Sequence, residues 1–270
     1  MATQALARLG LILGLLLFAA AAGCGDDDSS PADSAGEEGG ADADGGADAD
    51  ADADAETGAD ADADGEATGE RFVPPAAGST FVYRVEIPGE PDPIDMPGAA
   101  GPREAFHGTE YQRLDLGDFT AADPVGVRTW ANYAGNAIEF GGAEVYLDGM
   151  GTAGEPDFTY WFEAPLSGRF DGEVGAASEA SSTGHLVFEG DPTGTPYDIT
   201  VTYTLVSTSE SVTVPYGTVD GCIHYHLVTN SSDLSDYASD YWVKSGLGLV
   251  KATSIPGFDN CELVSAALPD

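Results

Sequence analysis

The sequence predicts an all-β fold in which antiparallel strands form a curved sheet, an incomplete barrel or a sandwich. Strand-like runs alternate with clusters of Gly, Pro, Asp and Ser throughout residues 71–270. No stretch of that region keeps the period of a helix. The runs also follow one another closely, which favours hairpins over the long crossovers that join parallel strands. We therefore expect residues 71–270 to form one β domain.

One predicted strand shows the alternation most clearly. In residues 197–205, Tyr, Ile, Val and Leu occupy the odd positions, and Asp and Thr fill the even ones. A period of two indicates one buried face and one wet face. Runs of similar character predict further strands at 80–87, 127–133, 143–147, 158–163, 185–189, 211–214, 222–229, 239–244 and 247–253. Residues 88–105 are rich in Pro and Gly and are predicted to form a long loop.

Residues 1–23 are predicted to be a signal peptide. An apolar run begins at Leu9 and ends in small residues before Cys24, the pattern of a secretory signal. It is shorter than the roughly 20 apolar residues of a membrane span. Ala21-Ala22-Gly23-Cys24 resembles the lipobox of bacterial lipoproteins. The resemblance implies cleavage before Cys24, lipid on Cys24 and attachment to a membrane of the cell envelope.

Residues 24–70 are predicted to be a lipidated cysteine followed by a disordered acidic tether. After Cys24 the segment is almost entirely Asp, Ala and Gly, with 18 acidic residues and no Lys or Arg. It cannot bury enough apolar surface to offset the entropy cost of ordering. Gly25-Asp26-Asp27-Asp28 is similar to acidic stretches that route lipoproteins to the cell surface in some bacteria. The expected location is therefore the outer membrane or the cell surface.

The charge balance limits the partners. The formal net charge is −38, and residues 71–270 alone carry −21. A surface of that sign repels phosphate backbones, so we expect no binding to nucleic acid. The lipid on Cys24 would provide the contact with the membrane. The sequence does not identify any protein or ligand that the β domain binds.

The remaining cysteines form a candidate pair. With Cys24 assigned to lipid, Cys222 and Cys261 are left. Exported chains meet oxidising conditions, in which such a pair commonly forms a disulfide. The alternative is two separate buried thiols.

The last third of the chain resembles a family of exported bacterial β proteins. The residues that carry the likeness are Val212-Thr-Val-Pro-Tyr-Gly-Thr218, Cys222, Tyr241-Trp242 and Gly246-Leu-Gly-Leu-Val-Lys251. Domains of the DUF3108 type have a similar order of turn, Cys-headed strand and glycine hairpin. The opening Gly78–Tyr83 resembles them more loosely. This resemblance implies a curved antiparallel sheet or incomplete barrel and implies no known activity.

The strongest candidate for chemistry is His224-Tyr-His226. Because His224 and His226 are two residues apart on a predicted strand, their rings point to the same side of the sheet. They could bind zinc if a third ligand came from a neighbouring strand, and we considered His185, Glu189, Asp240 and His107 for that role. The alternative is a pair of solvent-facing histidines. Asp233, Asp236 and Asp240, with Asn230, are a second candidate, for calcium.

No sequence motif indicates catalysis. The chain contains neither a G-x-S-x-G elbow nor an H-E-x-x-H pair, and no cofactor is indicated. The predicted function is therefore a membrane-anchored, non-catalytic binding or scaffold module. One alternative is a carrier that holds an apolar ligand in a cavity of the curved sheet. Another is a metal-dependent hydrolase that uses His224 and His226.

Overall fold

In the described part of the chain, twelve antiparallel strands close on themselves to form a barrel. The computed structural model of the chain describes residues 72–122, 124–134, 136–147, 152–190, 194–232, 236–255 and 258–269. The strands are β1 (Thr80–Glu86), β2 (Ile94–Phe106), β3 (Thr109–Asp118), β4 (Val125–Ala134), β5 (Ala137–Tyr146), β6 (Phe158–Arg169), β7 (Ala177–Phe188), β8 (Thr195–Val214), β9 (Gly217–Ser231), β10 (Tyr237–Lys244), β11 (Gly248–Ile255) and β12 (Phe258–Ala267). Within these ranges no helix is long and apolar enough to cross a membrane.

The order of strands around the barrel is the order along the chain. Every strand pairs with its sequence neighbours, and β1 pairs with β12 to complete the ring. The predicted all-β antiparallel fold is confirmed, and the sheet is a complete barrel. The predicted signal peptide and acidic tether lie outside the described residues.

The prediction of a long loop at residues 88–105 is wrong, because β2 occupies most of that stretch. This strand pairs with β1 on one side and β3 on the other. Its small residues have a packing reason: a Cβ on Gly98 would lie 3.2 Å from the ring atom Cε2 of Tyr83. Pro102 falls where the β2–β3 register shifts, a position that tolerates a residue without an N–H group. Strands β3 and β12 were not predicted either.

The barrel interior is packed with apolar and aromatic side chains. On β8 the odd residues from Tyr197 to Leu205 are buried and the intervening ones are more exposed, as the sequence predicted. Tyrosine supplies much of the volume. The largest fully buried side chains are Tyr160, Tyr241, Phe140, Ile138, Leu166, Leu227, Leu249, Leu263, Val85, Val145 and Val201.

Residues 72–79, here called the strap, lie across one end of the barrel. Phe72 is 3% exposed, and its ring centroid lies 4.6 Å from Phe170 and 5.8 Å from Tyr133. The backbone N–H of the next residue donates to Oγ of Ser245 at 2.8 Å. The strap thereby joins turns from opposite sides of the ring. We call this end of the barrel the strap end and the opposite one the far end.

The far end is acidic. It carries the connections after β1, β3, β5, β7, β9 and β11. Their described residues, 87–93, 119–122, 124, 147, 152–157, 189–190, 194, 232 and 236, include six Asp and Glu and no Lys or Arg. This distribution produces a negative potential at the far end.

Candidate functional site

The two histidines singled out by the sequence share one carboxylate. Oδ1 of Asp240 on β10 lies 3.1 Å from Nε2 of His224 and 3.0 Å from Nδ1 of His226. Strand pairing explains this, because Asp240 stands opposite His226 and Trp242 stands opposite His224. The histidine side chains are 13% and 38% exposed. They lie on the outer face of the barrel wall, since the alternate residues of β9 are its buried face.

A second carboxylate reaches the other nitrogen of His224. Oε2 of Glu210 on β8 lies 3.0 Å from Nδ1 of that ring. Carboxylates only accept hydrogen bonds, so both contacts are satisfied when both ring nitrogens carry protons. Sequence reasoning missed Glu210. The β8–β9 register shifts on both sides of this residue and places it opposite Cys222, and no spacing rule gives that position.

An aromatic ring covers His224 from one side. Trp242 stacks on His224 with ring centroids 4.2 Å apart and an angle of 24° between the planes. The indole restricts access to one face of the imidazole. The site is therefore a small hydrogen-bonded cluster that ties β8, β9 and β10 together on the outer wall.

The geometry does not provide an activated nucleophile at His224. Ser207 stands opposite His224 across the β8–β9 ladder. A general base needs a free nitrogen to accept the hydroxyl proton. Both nitrogens of His224 lie at hydrogen-bond distance from carboxylates, so neither is directed at the Ser207 hydroxyl.

No group of three or more His, Cys, Asp or Glu side chains in the described part of the chain is placed to hold a metal ion. Among the third ligands considered, Asp240 is the one that reaches the histidine pair, and it does so through hydrogen bonds. His185 lies on β7 with Nε2 2.9 Å from Oε1 of Glu163. Glu189 accepts the backbone N–H of Thr152 at 3.1 Å.

The acidic side chains considered for calcium binding have different partners. Oδ1 of Asp236 accepts the backbone N–H of Ser231 at 3.3 Å, while Asp240 belongs to the histidine cluster. Asp233 lies outside the described residues. The described carboxylates of this loop therefore make separate contacts.

The predicted disulfide between Cys222 and Cys261 is not supported, because both residues are free, buried thiols. Cys222 is on β9 and Cys261 on β12, with two strands between them. Three strand spacings amount to about 14 Å, whereas a disulfide needs Cα atoms within about 7 Å. Burial raises the pKa of the Cys222 thiol to about 11 and that of Cys261 well above its usual value.

An aromatic stack on the outer wall was not predicted. Phe106 stacks on Trp130 with centroids 5.0 Å apart. Beside them, His107 and His185 stack on Trp161 at 4.7 and 4.2 Å. Burial and then the neighbouring His185 lower the pKa of His107. These rings come from four separate strands and one turn, so no local pattern in the sequence marks them.

Comparison with known proteins leaves the family open. No protein family described by a sequence profile matches the chain, so the resemblance to DUF3108-type domains is not confirmed, and no curated protein matches it either. Two solved structures are similar: a protein from Bacteroides fragilis NCTC 9343, considered to be exported and to have a YmcC-like fold, and a protein from Parabacteroides distasonis ATCC 8503, considered to be a lipoprotein.

The likeness to both structures is distant. The first is 11% identical with a TM-score of 0.47, and the second is 13% identical with a TM-score of 0.45. In each case 73% of this chain and 99% of the other are covered. At these values the likeness does not support a conclusion about function.

Proposed function

We propose that the chain is a lipoprotein of the cell envelope whose barrel binds or scaffolds another molecule without catalysing a reaction. The observation that supports this most is the packed interior. Tyr160 and Tyr241 are among the largest fully buried side chains, and they stand where a carrier of this shape would hold its ligand. Recognition is thereby assigned to the outer surface of the barrel.

The anchor is assigned to Cys24 on the basis of the sequence Ala21-Ala22-Gly23-Cys24. Replacing Cys24 with Ala removes the acceptor of the lipid, so we expect the protein to move from the membrane fraction to the soluble fraction. Cys222→Ala is a matched control that leaves the anchor intact. Persistent membrane attachment of the Cys24→Ala protein would refute lipid anchoring.

The location is proposed to be the outer membrane or the cell surface, with the acidic segment holding the barrel away from the lipid. The support is the run Gly25-Asp26-Asp27-Asp28 and the like charges that follow it. Protease added to intact cells should remove the barrel if it is displayed outside. Protection from protease in intact cells, combined with inner-membrane density on a gradient, would contradict this location.

The carrier hypothesis has less support because many of the described inward side chains are buried in one continuous cluster. Native mass spectrometry of the Cys24→Ala protein distinguishes the two hypotheses, since no covalent lipid confuses the mass. A bound apolar molecule in equal amount to the protein would restore the carrier hypothesis. The expected spectrum contains the chain alone.

The hydrolase hypothesis also has less support. His224 and His226 both lie at hydrogen-bond distance from the Asp240 carboxylate, and no group of side chains among the described residues is placed to hold a metal ion. Metal analysis of protein purified without chelator tests it directly. Zinc in equal amount to the protein, lost in a His224→Gln variant, would favour the hydrolase hypothesis over the non-catalytic one.

A further inference from the structure

An apolar groove lies at the rim of the far end of the barrel, between β6 and β7. Its surface is formed by Pro156, Thr159, Val187 and Phe188, and the carboxylates of Glu155 and Glu189 flank it. We refer to these six residues as the β6–β7 groove. Phe188 stands opposite the buried Phe158 and shares its inward face at the barrel mouth, whereas Val187 stands opposite Thr159 on the outward face.

Phe188 is the most exposed aromatic side chain of the groove. It is 46% exposed, and its contact with Phe158 has centroids 6.0 Å apart. Apolar area left in water becomes a source of binding free energy when a partner covers it. Among the described large hydrophobic side chains that are exposed, Phe188 is the one phenyl ring, and the apolar Val187 is its neighbour in the groove.

The groove is held in shape by a network of hydrogen bonds. Glu189 accepts from the backbone N–H and the hydroxyl of Thr152, and its own N–H donates to the carbonyl of Asp157 at 3.0 Å. The Asp157 carboxylate in turn accepts the N–H of Leu147 at 2.7 Å. A surface organised in advance loses less entropy on binding than one that must first be ordered.

The apolar surface continues from the groove toward the aromatic stack. Thr159 stands opposite Val187 on the outward face. The next outward pair on the same two strands is Trp161 and His185. Trp161 is partly exposed. A bound segment that crosses the rim at Phe188 and follows the strand direction would therefore pass over Val187 onto the indole ring of Trp161.

The charges around the groove have one sign. Among the described residues of β6 and β7 and the connections at their far end, Arg169 is the one Lys or Arg, and it lies at the strap end paired with Asp171 at 2.8 Å. Glu155 and Glu189 thus face solvent in a region without a neighbouring cation from those strands. This favours a positively charged partner and disfavours an anionic one.

From these observations we propose that the β6–β7 groove binds a segment of a partner protein in which Lys or Arg side chains flank an apolar residue. The apolar residue covers Phe188 and Val187, and the cations pair with Glu155 and Glu189. The inference rests on the proposed function, in which the barrel binds on its outer surface. A second copy of this chain is disfavoured, because residues 71–270 carry −21. An anionic lipid surface is repelled for the same reason.

A defined peptide tests the groove. The probe is a short fluorescent peptide in which arginine and leucine alternate, and a peptide with glutamate in place of arginine is the comparison. Both are titrated into the full chain carrying Cys24→Ala. We expect the arginine peptide alone to bind, more weakly as salt is added, and about tenfold more weakly to a Phe188→Ser variant.

The acidic tether makes a matched control necessary. Val174→Ser changes an apolar residue that is 61% exposed and lies between β6 and β7 at the strap end, so it should bind like the parent. Equal affinities of the Phe188→Ser and Val174→Ser variants would place the peptide on the tether and overturn the groove.

Photo-crosslinking in the producing cells separates the groove from the wider proposal. A photoreactive side chain is placed at 188, at 174 or at 216, where Tyr216 is 46% exposed. An adduct at 188 alone supports the groove when mass spectrometry identifies the crosslinked segment and it carries Lys or Arg beside an apolar residue. An adduct at 174 or 216 without one at 188 keeps the binding function and refutes the groove. No adduct at any of the three positions counts against both.

Discussion

The ring of Tyr197 lies against the backbone of Gly184, the residue directly opposite it on the neighbouring strand. A Cβ at position 184 would come within 2.4 Å of Cζ of that ring. Tyr203 of β8 covers Gly168 of β6 in a similar way, although the two strands are not neighbours, and a Cβ at 168 would lie 2.6 Å from its ring. Glycine on one strand thus makes room for the tyrosines that fill the barrel.

Replacing Gly184 with Ala should destabilise the barrel by about 1–3 kcal/mol, because the new methyl group forces the buried ring of Tyr197 out of its position. Urea unfolding followed by tryptophan fluorescence measures this change. Gly101→Ala is the matched control. Its Cβ would meet Nε of Arg113 at 2.8 Å, and a long side chain moves aside more easily than a packed ring. Equal losses from the two variants would contradict the account.

Replacing Asp240 with Ala should cost about 1 kcal/mol of folding free energy at neutral pH. The change removes the shared acceptor of His224 and His226, and hydrogen bonds to charged groups are worth more than neutral ones, although partial exposure reduces their effect. Asp236→Ala, which removes one weaker contact at 3.3 Å, should cost less. Urea midpoints of the two variants decide the order.

Replacing Phe72 with Ala should destabilise the protein by about 3 kcal/mol, because the ring is 3% exposed and fills the strap end between two aromatic rings. Val73→Ala is the control, since that neighbouring side chain is 51% exposed. If both substitutions shift the urea midpoint equally, the strap contributes through its backbone and the packing of Phe72 is unimportant.

The two thiols should resist chemical modification in the folded protein. Burial raises the pKa of Cys222 to about 11, so little thiolate exists near neutral pH, and thiolate is the reactive form. A thiol reagent should modify no cysteine of the native Cys24→Ala protein and two in urea. A reducing agent should leave the urea midpoint unchanged. A midpoint that falls on reduction would restore the disulfide.

Stability should fall above about pH 10, the ordinary pKa of tyrosine. Burial raises the pKa of Tyr160, Tyr225 and Tyr241 well above that value. Below the unfolded pKa both states are protonated and the contribution is fully present. Above it the unfolded state releases protons that the folded state retains, and each such tyrosine lowers stability by up to about 1.4 kcal/mol per pH unit. Urea midpoints and phenolate absorbance on either side of pH 10 measure this loss.

Strands were predicted well where burial alternates with a period of two. They were predicted poorly where pairing with neighbouring strands determines the conformation. Residues 197–205 alternate because one side chain in two enters the barrel, and the pattern is visible in the sequence. Strand β2 was predicted as a loop, since Gly98 and Pro102 oppose strand structure locally. Its partners impose the conformation, and the tyrosine ring above Gly98 explains the choice of residue.

The candidate site was predicted in part for a similar reason. His224 and His226 share a face by simple alternation, and Asp240 was among the ligands considered. Glu210 depends on the bulges of β8, and the stack around Trp161 depends on residues from several strands. The expectation of a disulfide treated two leftover cysteines as a pair, and the strand order places them too far apart.

The order of the strands around the barrel has a consequence for how the chain acquires its structure. Eleven of the twelve ladders join consecutive strands, and the ladder between β1 and β12 joins residues such as Thr80 and Ala267. The hairpins can form early because they close short loops, whereas the final seam has to bring distant segments together. During synthesis, the edge of β1 that faces away from β2 therefore stays unpaired until β12 is made. An intermediate with that edge exposed is the species most exposed to aggregation or to capture by a chaperone.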